Sequence, residues 1–257
     1  MQGDLSVKWY GLNALEFRHS NGSFLIDPYV SRDRTRLHIV EEAEKFLPVA
    51  GDFILMSHAH WDHLADIPFL MKKNPSIPFY GSPTACFILQ SCGVDPARLH
   101  PLSYGEELDL PGNVHVKVYE SRHMGIMPED SFYTSPPPPS ALENAGGWKC
   151  GEVYNFYFEL EGIRILNGGS ANLHPPAIKG VTADYFFAGI SRWKEGFPEL
   201  IKENLSFHTL IPTHHDEFKK SLSQFELRDD LGRLKEVMPE LTVWELPILQ
   251  WVKLPEL

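Results

Sequence analysis

Long apolar runs are missing from this chain of 257 residues. None approaches the roughly 20 residues that a helix needs to cross a bilayer. The opening MQGDLSVKWYG has no basic-then-apolar leader pattern. Cysteine is scarce: Cys86, Cys92 and Cys150 are odd in number and match no zinc or redox spacing, so they read as reduced, mostly buried thiols. A soluble cytoplasmic protein with no membrane attachment is the expectation. Positive charge is short too, with 23 bases against 34 acids and a formal charge of -11. Such a surface repels phosphate backbones, and with no evident basic stripe nucleic acid is a poor candidate partner. No short internal repeat or linker is visible, and nothing in the sequence speaks to oligomeric state. What remains, 43% hydrophobic and 12% aromatic residues, fits a globular core, and a single domain over residues 1–257 is expected.

Short strands come first: Val7–Tyr10, Ala14–Phe17 and Phe24–Ile26, with Asn21-Gly22 as a hairpin turn. Helical spacing follows over Ile39–Leu47. Phe53–Met56 is an apolar run of buried-strand type. Pro83–Gly93 reads as a helix with Ser82 as cap and Gly93 as stop. Glu107–Leu110 and Val114–Tyr119 read as strands across Pro111-Gly112-Asn113. The stretch 125–150 differs in kind, with Pro136–Pro139 in a row and Gly146-Gly147. It predicts a long loop insertion, either a wall of a site or a solvated excursion. Beyond it Tyr154–Leu160, Ile163–Leu166, Tyr185–Ile190 and His208–Ile211 read as strands, Pro198–Asn204 and most of Glu217–Val237 as helix, and Thr242–Glu245 and Ile248–Val252 as closing strands. Tyr154, Phe156, Tyr157 and Phe158 read as core strand residues. Strands in both halves with interspersed helices predict an α/β fold: two mixed β-sheets face to face with helices outside, a four-layer αββα sandwich.

Everything is organised around FILMSHAHWDHLAD, residues 53–66. The strand ends at Ser57, and His58, His60, Asp62 and His63 follow. In an extended exit His58 and His60 project the same way. Asp62 and His63 come round as the chain turns into a helix. Two imidazoles thus meet at one spot, with a carboxylate and an imidazole at a second spot close by. Neutral imidazole and carboxylate suit zinc, manganese or iron. Histidines gathering by chance is the bland alternative, but four spaced ligands straight after a buried strand are far more specific than a lone one. His123, beyond the strand 114–119, and His214, beyond Pro212-Thr213, also stand just past strand ends. Either alone would read as a surface or hydrogen-bonded histidine. Beside the first motif they read as ligands, because a catalytic metal needs at least three from the protein.

The pattern His58-x-His60-x-Asp62-His63 resembles the signature of the metallo-β-lactamase superfamily, and the resemblance runs from Asp27 to His214. Asp27, after Phe24-Leu25-Ile26, matches the first of five ordered motifs, a buried acid supporting the ligand loop. His123 matches the third. His214, followed by His215, Asp216, Glu217 and Phe218, matches the fifth, and looks most like the branch with ascorbate-phosphate lactonase and N-acyl phosphatidylethanolamine phospholipase. The fourth departs: Ser170, in Asn167-Gly168-Gly169-Ser170, stands where the family places a bridging aspartate. A hydroxyl offsets the repulsion of two cations poorly, which predicts a weak second ion or a single one unless Asn172 or Asp184 compensates.

The resemblance implies that His58, His60 and His123 hold a first ion and Asp62, His63 and His214 a second: zinc, one or two ions, with manganese and iron as alternatives. It implies hydrolysis of a small-molecule ester, lactone or phosphate ester by metal-activated water, with Asp62 as the catalytic residue that orients it. Arg122 and the run Ser191-Arg192-Trp193-Lys194 read either as ordinary surface charge or as a grip on an anionic group. Two other classes stay open: a phosphodiesterase on lipid or nucleic acid, and a metal-binding or iron-redox relative that lost hydrolysis with the bridging aspartate.

Overall fold

The computed structural model describes residues 5–33, 40–48, 50–123, 131–169, 171–191, 196–217 and 220–255. In the first half are β1 (Ser6–Trp9), β2 (Leu15–His19), β3 (Gly22–Ile26), α1 (Val40–Phe46), β4 (Ile54–Leu55), α2 (Trp61–Leu64), α3 (Ile67–Lys73), β5 (Phe79–Gly81), α4 (Pro83–Ser91) and β6 (Leu99–Pro101). In the second are β7 (Glu107–Leu110), β8 (Val114–His123), β9 (Tyr154–Leu160), β10 (Ile163–Asn167), β11 (Ala171–Leu173), α5 (Pro175–Ile178), β12 (Val181–Gly189), α6 (Phe197–Asn204), β13 (Leu205–Thr213), α7 (Asp230–Val237) and β14 (Trp251–Lys253).

Two mixed sheets result. One runs β14-β1-β2-β3-β4-β5-β6, the other β11-β8-β9-β10-β12-β13 with β7 on β8. Hairpin-linked strands pair antiparallel, as in β1-β2-β3 and β9-β10, and β8 pairs antiparallel with β9 across the long 124–153 connection. Strands separated by helices pair parallel, as in β3-β4-β5-β6 and β10-β12-β13, because a parallel neighbour needs a crossover connection.

Side-chain alternation divides the core into three apolar layers. Phe53 and Leu55 face the second sheet while Ile54 and Met56 face α3 and α4. Across the molecule Ile165, Tyr185 and Phe187 point inward, and Leu166, Phe186 and Ala188 pack toward α5, α6 and α7. The fold is the expected four-layer αββα sandwich of two mixed sheets with helices outside. Its centre is aromatic: Phe24 stacks on Phe17 and Phe53 at 5.2 and 4.8 Å between ring centroids, and Phe158 meets Phe17 and Phe24 edge-on. Tyr154, Phe156 and Phe158 are buried there.

Several local expectations shift. His19 pairs with Gly22, so Ser20 and Asn21 form the hairpin loop rather than Asn21-Gly22. β8 continues to His123 because β11 pairs with its end, Ala171 opposite His123. Glu217–Val237 is helical only over Asp230–Val237, with a 3-10 turn at Leu222–Gln224. Its first part returns to the strand exit instead: Arg228 N–H donates to His215 O at 2.7 Å, and Glu217 N–H to Glu226 O at 2.8 Å. Of the closing strands, Trp251–Lys253 forms a ladder with β1, while Val243 and Ile248 make isolated bridges. The described part of the 125–150 stretch, from Ser131 on, alternates exposed residues with a few buried anchors. Leu142 and Trp148 are buried in the layer under α4, and Trp148 Nε1 donates to Leu142 O at 3.0 Å. That part is therefore anchored to the body at these points while much of its surface stays exposed.

Candidate metal centre

The C-terminal ends of β3, β4, β8 and β13 open on one rim of the sandwich, where in α/β sheets strands release their chains into functional loops. β3 ends at Asp27, a non-glycine residue with φ of 44°. Its carboxylate gathers the start of the ligand loop around itself. Oδ1 accepts from Ser57 N–H at 2.7 Å, and Oδ2 from Asn13 Nδ2 at 2.7 Å. Ser57 Oγ also donates to Oδ2. His63 Nδ1 lies 2.8 Å from Oδ2. The acid accepts, so His63 carries its proton on Nδ1 and Nε2 is left with a lone pair for a cation.

Two donor groups stand on this support. Ligand-type atoms of His58, His60, His123 and Cys150 all lie within 4.8 Å of one another, and those of Asp62, His63 and His214 do likewise. The groups are neighbours, with the His58 and His63 rings 4.0 Å apart and His63 and His214 rings 5.6 Å apart. His60 meets His123 at 4.6 Å. The structure brings together all six residues that the sequence nominated, in these two groups. Cys150 is an addition that no ligand spacing announced, since it approaches from a distant loop.

Burial and mutual proximity set the protonation of these donors. Burial, reinforced by the surrounding imidazoles, holds His58 well below the ordinary histidine range. His60 is pushed down to about 4, by burial first and by His123 and His63, against Asp62. Both are neutral at pH 7 and offer lone pairs. Burial alone would raise Asp62, but its hydrogen bond to His214 and the nearness of the His63, His214 and His60 rings hold it well below the usual carboxylate range. Burial opposes a charge on His63, and Asp27 and Asp62 outweigh it and raise the pKa. Cys150 is driven up by burial, with Asp62 and Glu152 adding. A borderline divalent ion fits such a set of buried imidazoles, one carboxylate and a thiol.

The loop after β1 locks the far side. Leu12 O accepts from His214 N–H at 2.7 Å, and Thr213 Oγ1 donates to Asn13 Oδ1 at 3.0 Å. Leu12 N–H is held by Asp216, whose carboxylate forms a buried ion pair with Arg32. Asp66, at the end of the first motif, accepts from Val30 and Ser31 N–H at 2.7 and 2.9 Å. Asn13 and Asp66 are supports that sequence reasoning missed; short polar residues in loops carry no spacing signal. His214 itself sits at φ of 54°. Backbone strain of this kind collects at sites that the surroundings over-determine.

Next to His123 is a cavity of about 410 Å³ lined by Tyr104, Ser121, Arg122, Phe132, Val153 and Asn172 among others. Arg122 is exposed and sits at its wall. Asp184 is engaged elsewhere, accepting from Arg164 N–H at 2.8 Å and Nη2 at 2.6 Å, so it does not compensate for Ser170. Asn172 uses its Oδ1 on Leu173 N–H at 2.9 Å. Ser170 and Arg192, Trp193 and Lys194 lie outside the described residues; Ser191 accepts from Arg228 Nη2 at 2.7 Å.

Residues 23–139 match the family described as Beta-lactamase superfamily domain. A protein of Polynucleobacter asymbioticus described as UPF0173 metal-dependent hydrolase is 27% identical over 177 residues, covering 67% of this chain and 58% of that protein, so the match spans a little over half of that relative's length. A Staphylococcus aureus protein of the same description is 23% identical over 250 residues, covering 91% and 97% of the two chains. Among solved structures, Igni18, a metallo hydrolase from Ignicoccus hospitalis, superposes with a TM-score of 0.64 at 15% identity, covering 98% of this chain and 99% of its own. That likeness speaks for the fold. No described helix is long and apolar enough to cross a membrane.

Proposed function

We propose that this chain, whose residues 23–139 match the Beta-lactamase superfamily domain, is a metal-dependent hydrolase of small-molecule esters, lactones or phosphate esters. His58, His60 and His123 are ligands of one ion, and Asp62, His63 and His214 of a second. The observation that carries this reading is the convergence of the two donor groups, each within 4.8 Å, beside a cavity of about 410 Å³. A pocket of that volume suits a small molecule rather than a polymer. Zinc is the natural ion for this donor set, with manganese and iron as alternatives.

A divalent ion held there by these residues would lower the pKa of a water from 15.7 towards about 7 and would polarise an electrophilic oxygen. The protein's share is positional. Asp27 fixes the tautomer of His63, and Asp62, kept ionised, accepts a hydrogen bond from the attacking water and aims it. Tyr104 and Phe132 form apolar walls, and Arg122 holds an anionic or strongly polar group of the substrate. Pro212-Thr213-His214 with His215 and Asp216 resembles the lactonase and phospholipase branch, which makes lactones and phosphodiesters the first compounds to try.

The test is turnover of a panel of lactones, aryl esters and phosphodiesters by zinc-, manganese- or iron-loaded protein. Hydrolysis of at least one class is expected. Arg122→Ala should raise KM for anionic members by roughly tenfold with kcat little changed, the loss of one charge-assisted contact. No turnover in any class with any of the three metals contradicts the proposal.

A further inference from the structure

Cys150 stands apart from the other two cysteines. Cys86 and Cys92 pack in the apolar layer between α4 and the first sheet, whereas Cys150, 2% exposed, lies outside that layer and groups with Val153. Its Sγ lies within 4.8 Å of ligand-type atoms of His58, His60 and His123. The backbone holds it there. Cys150 O accepts from Ala59 N–H at 2.8 Å, and Ala59 is the residue between His58 and His60. Four residues on, Tyr154 N–H donates to Ser57 O at 2.9 Å, so residues 150–154 run alongside the ligand loop and are tied to it at both ends. Gly151 makes the turn between, with φ of +68°; a Cβ there would come within 2.6 Å of Thr84 Cβ and 2.9 Å of Ser82 Oγ. The thiol's approach to the three imidazoles is thus built into main-chain geometry on both sides.

We propose that Cys150 is the fourth protein ligand of the first metal, giving a His-His-His-Cys set of His58, His60, His123 and Cys150. The inference rests on the metal-centre reading above and deepens it. On binding, the thiol proton passes to solvent and the sulfur lone pair forms the bond to the ion. Thiolate ligation has two chemical consequences. A thiolate selects soft and borderline ions, zinc, cobalt(II) or iron(II), over magnesium, calcium or manganese. It also adds a second negative charge to a pair of donor groups whose only other anion, among the described residues, is Asp62, and so eases the repulsion between two cations. A set of four protein ligands leaves the first ion the coordination of a closed site, so that open coordination positions belong to the second.

The experiment is cobalt(II) reconstitution of the full chain, followed by absorption spectroscopy. Wild type should show visible ligand-field bands of a low-coordinate site together with an intense near-ultraviolet sulfur-to-cobalt charge-transfer band. Cys150→Ser should lose the near-ultraviolet band, keep visible bands, and bind the first ion at least about tenfold more weakly, while Cys86→Ser keeps both. X-ray absorption of the zinc-loaded wild type needs no variant and should show one sulfur at about 2.3 Å. Visible bands without the charge-transfer band, or a zinc shell without sulfur, overturns the thiolate ligand and leaves the histidine site standing. Absence of any cobalt or zinc binding overturns both.

Discussion

Asp27 shows how much one carboxylate can do behind a metal site. It accepts from Asn13, from both donors of Ser57 and from His63 Nδ1. Replacing it with alanine strips four buried donors of their acceptor, and unsatisfied buried donors cost about 1–3 kcal/mol each before relaxation. Asp27→Asn is the gentler probe. It keeps the shape but removes the charge and offers a donor where His63 needs an acceptor. Affinity for the ion at Asp62, His63 and His214 should fall by about 10–100-fold, the usual effect of losing a residue that orients a ligand, while the ion at His58, His60 and His123 is held. Calorimetric metal titration of the two proteins checks this; equal affinities would mean that His63 is oriented by something else.

At the scale of elements, the site depends on loops from both sheets being registered against each other. The turn at Leu12 and Asn13 does this, because Asn13 touches Asp27 behind the first motif and Thr213 before His214. Asn13→Ala should therefore loosen His214 and lower the stoichiometry or affinity of the second ion by roughly tenfold without disturbing the first; elemental analysis after dialysis reads both. The histidines themselves were legible in the sequence because four ligands crowd into one strand exit and two more stand at strand ends. The supports were not. Asn13 is an ordinary loop residue until the fold brings it to Asp27, and Cys150 reaches the site through a backbone contact with Ala59. Elements read from alternation, such as β8 and β9, appear where expected. The predicted helix over Glu217–Val237 shrank because its first half pairs with residues 215–217 at the strand exit, a tertiary contact that local propensity does not encode.

For the molecule as a whole, the rim that carries the donors is positioned by an aromatic core shared between two sheets. Phe158 from the second sheet meets Phe17 and Phe24 of the first edge-on at 5.3 and 5.4 Å. Phe158→Ala should cost about 3–5 kcal/mol of stability, seen as a lower midpoint in chemical denaturation. Metal stoichiometry in the folded fraction should be retained, since Phe158 lies in the apolar layer between the sheets and is not one of the donors. The four-layer architecture was readable from the order of strands and helices, and the three apolar layers follow from side-chain alternation along β3, β4, β10 and β12. The most direct measurement is the metal content of the purified wild-type chain beside His60→Ala and His214→Ala. Wild type is expected to carry at least one tightly held transition-metal ion per chain, with His60→Ala losing the first ion and His214→Ala sparing it. Full wild-type metal content in His60→Ala, or none in the wild type itself, would contradict a metal centre at this rim.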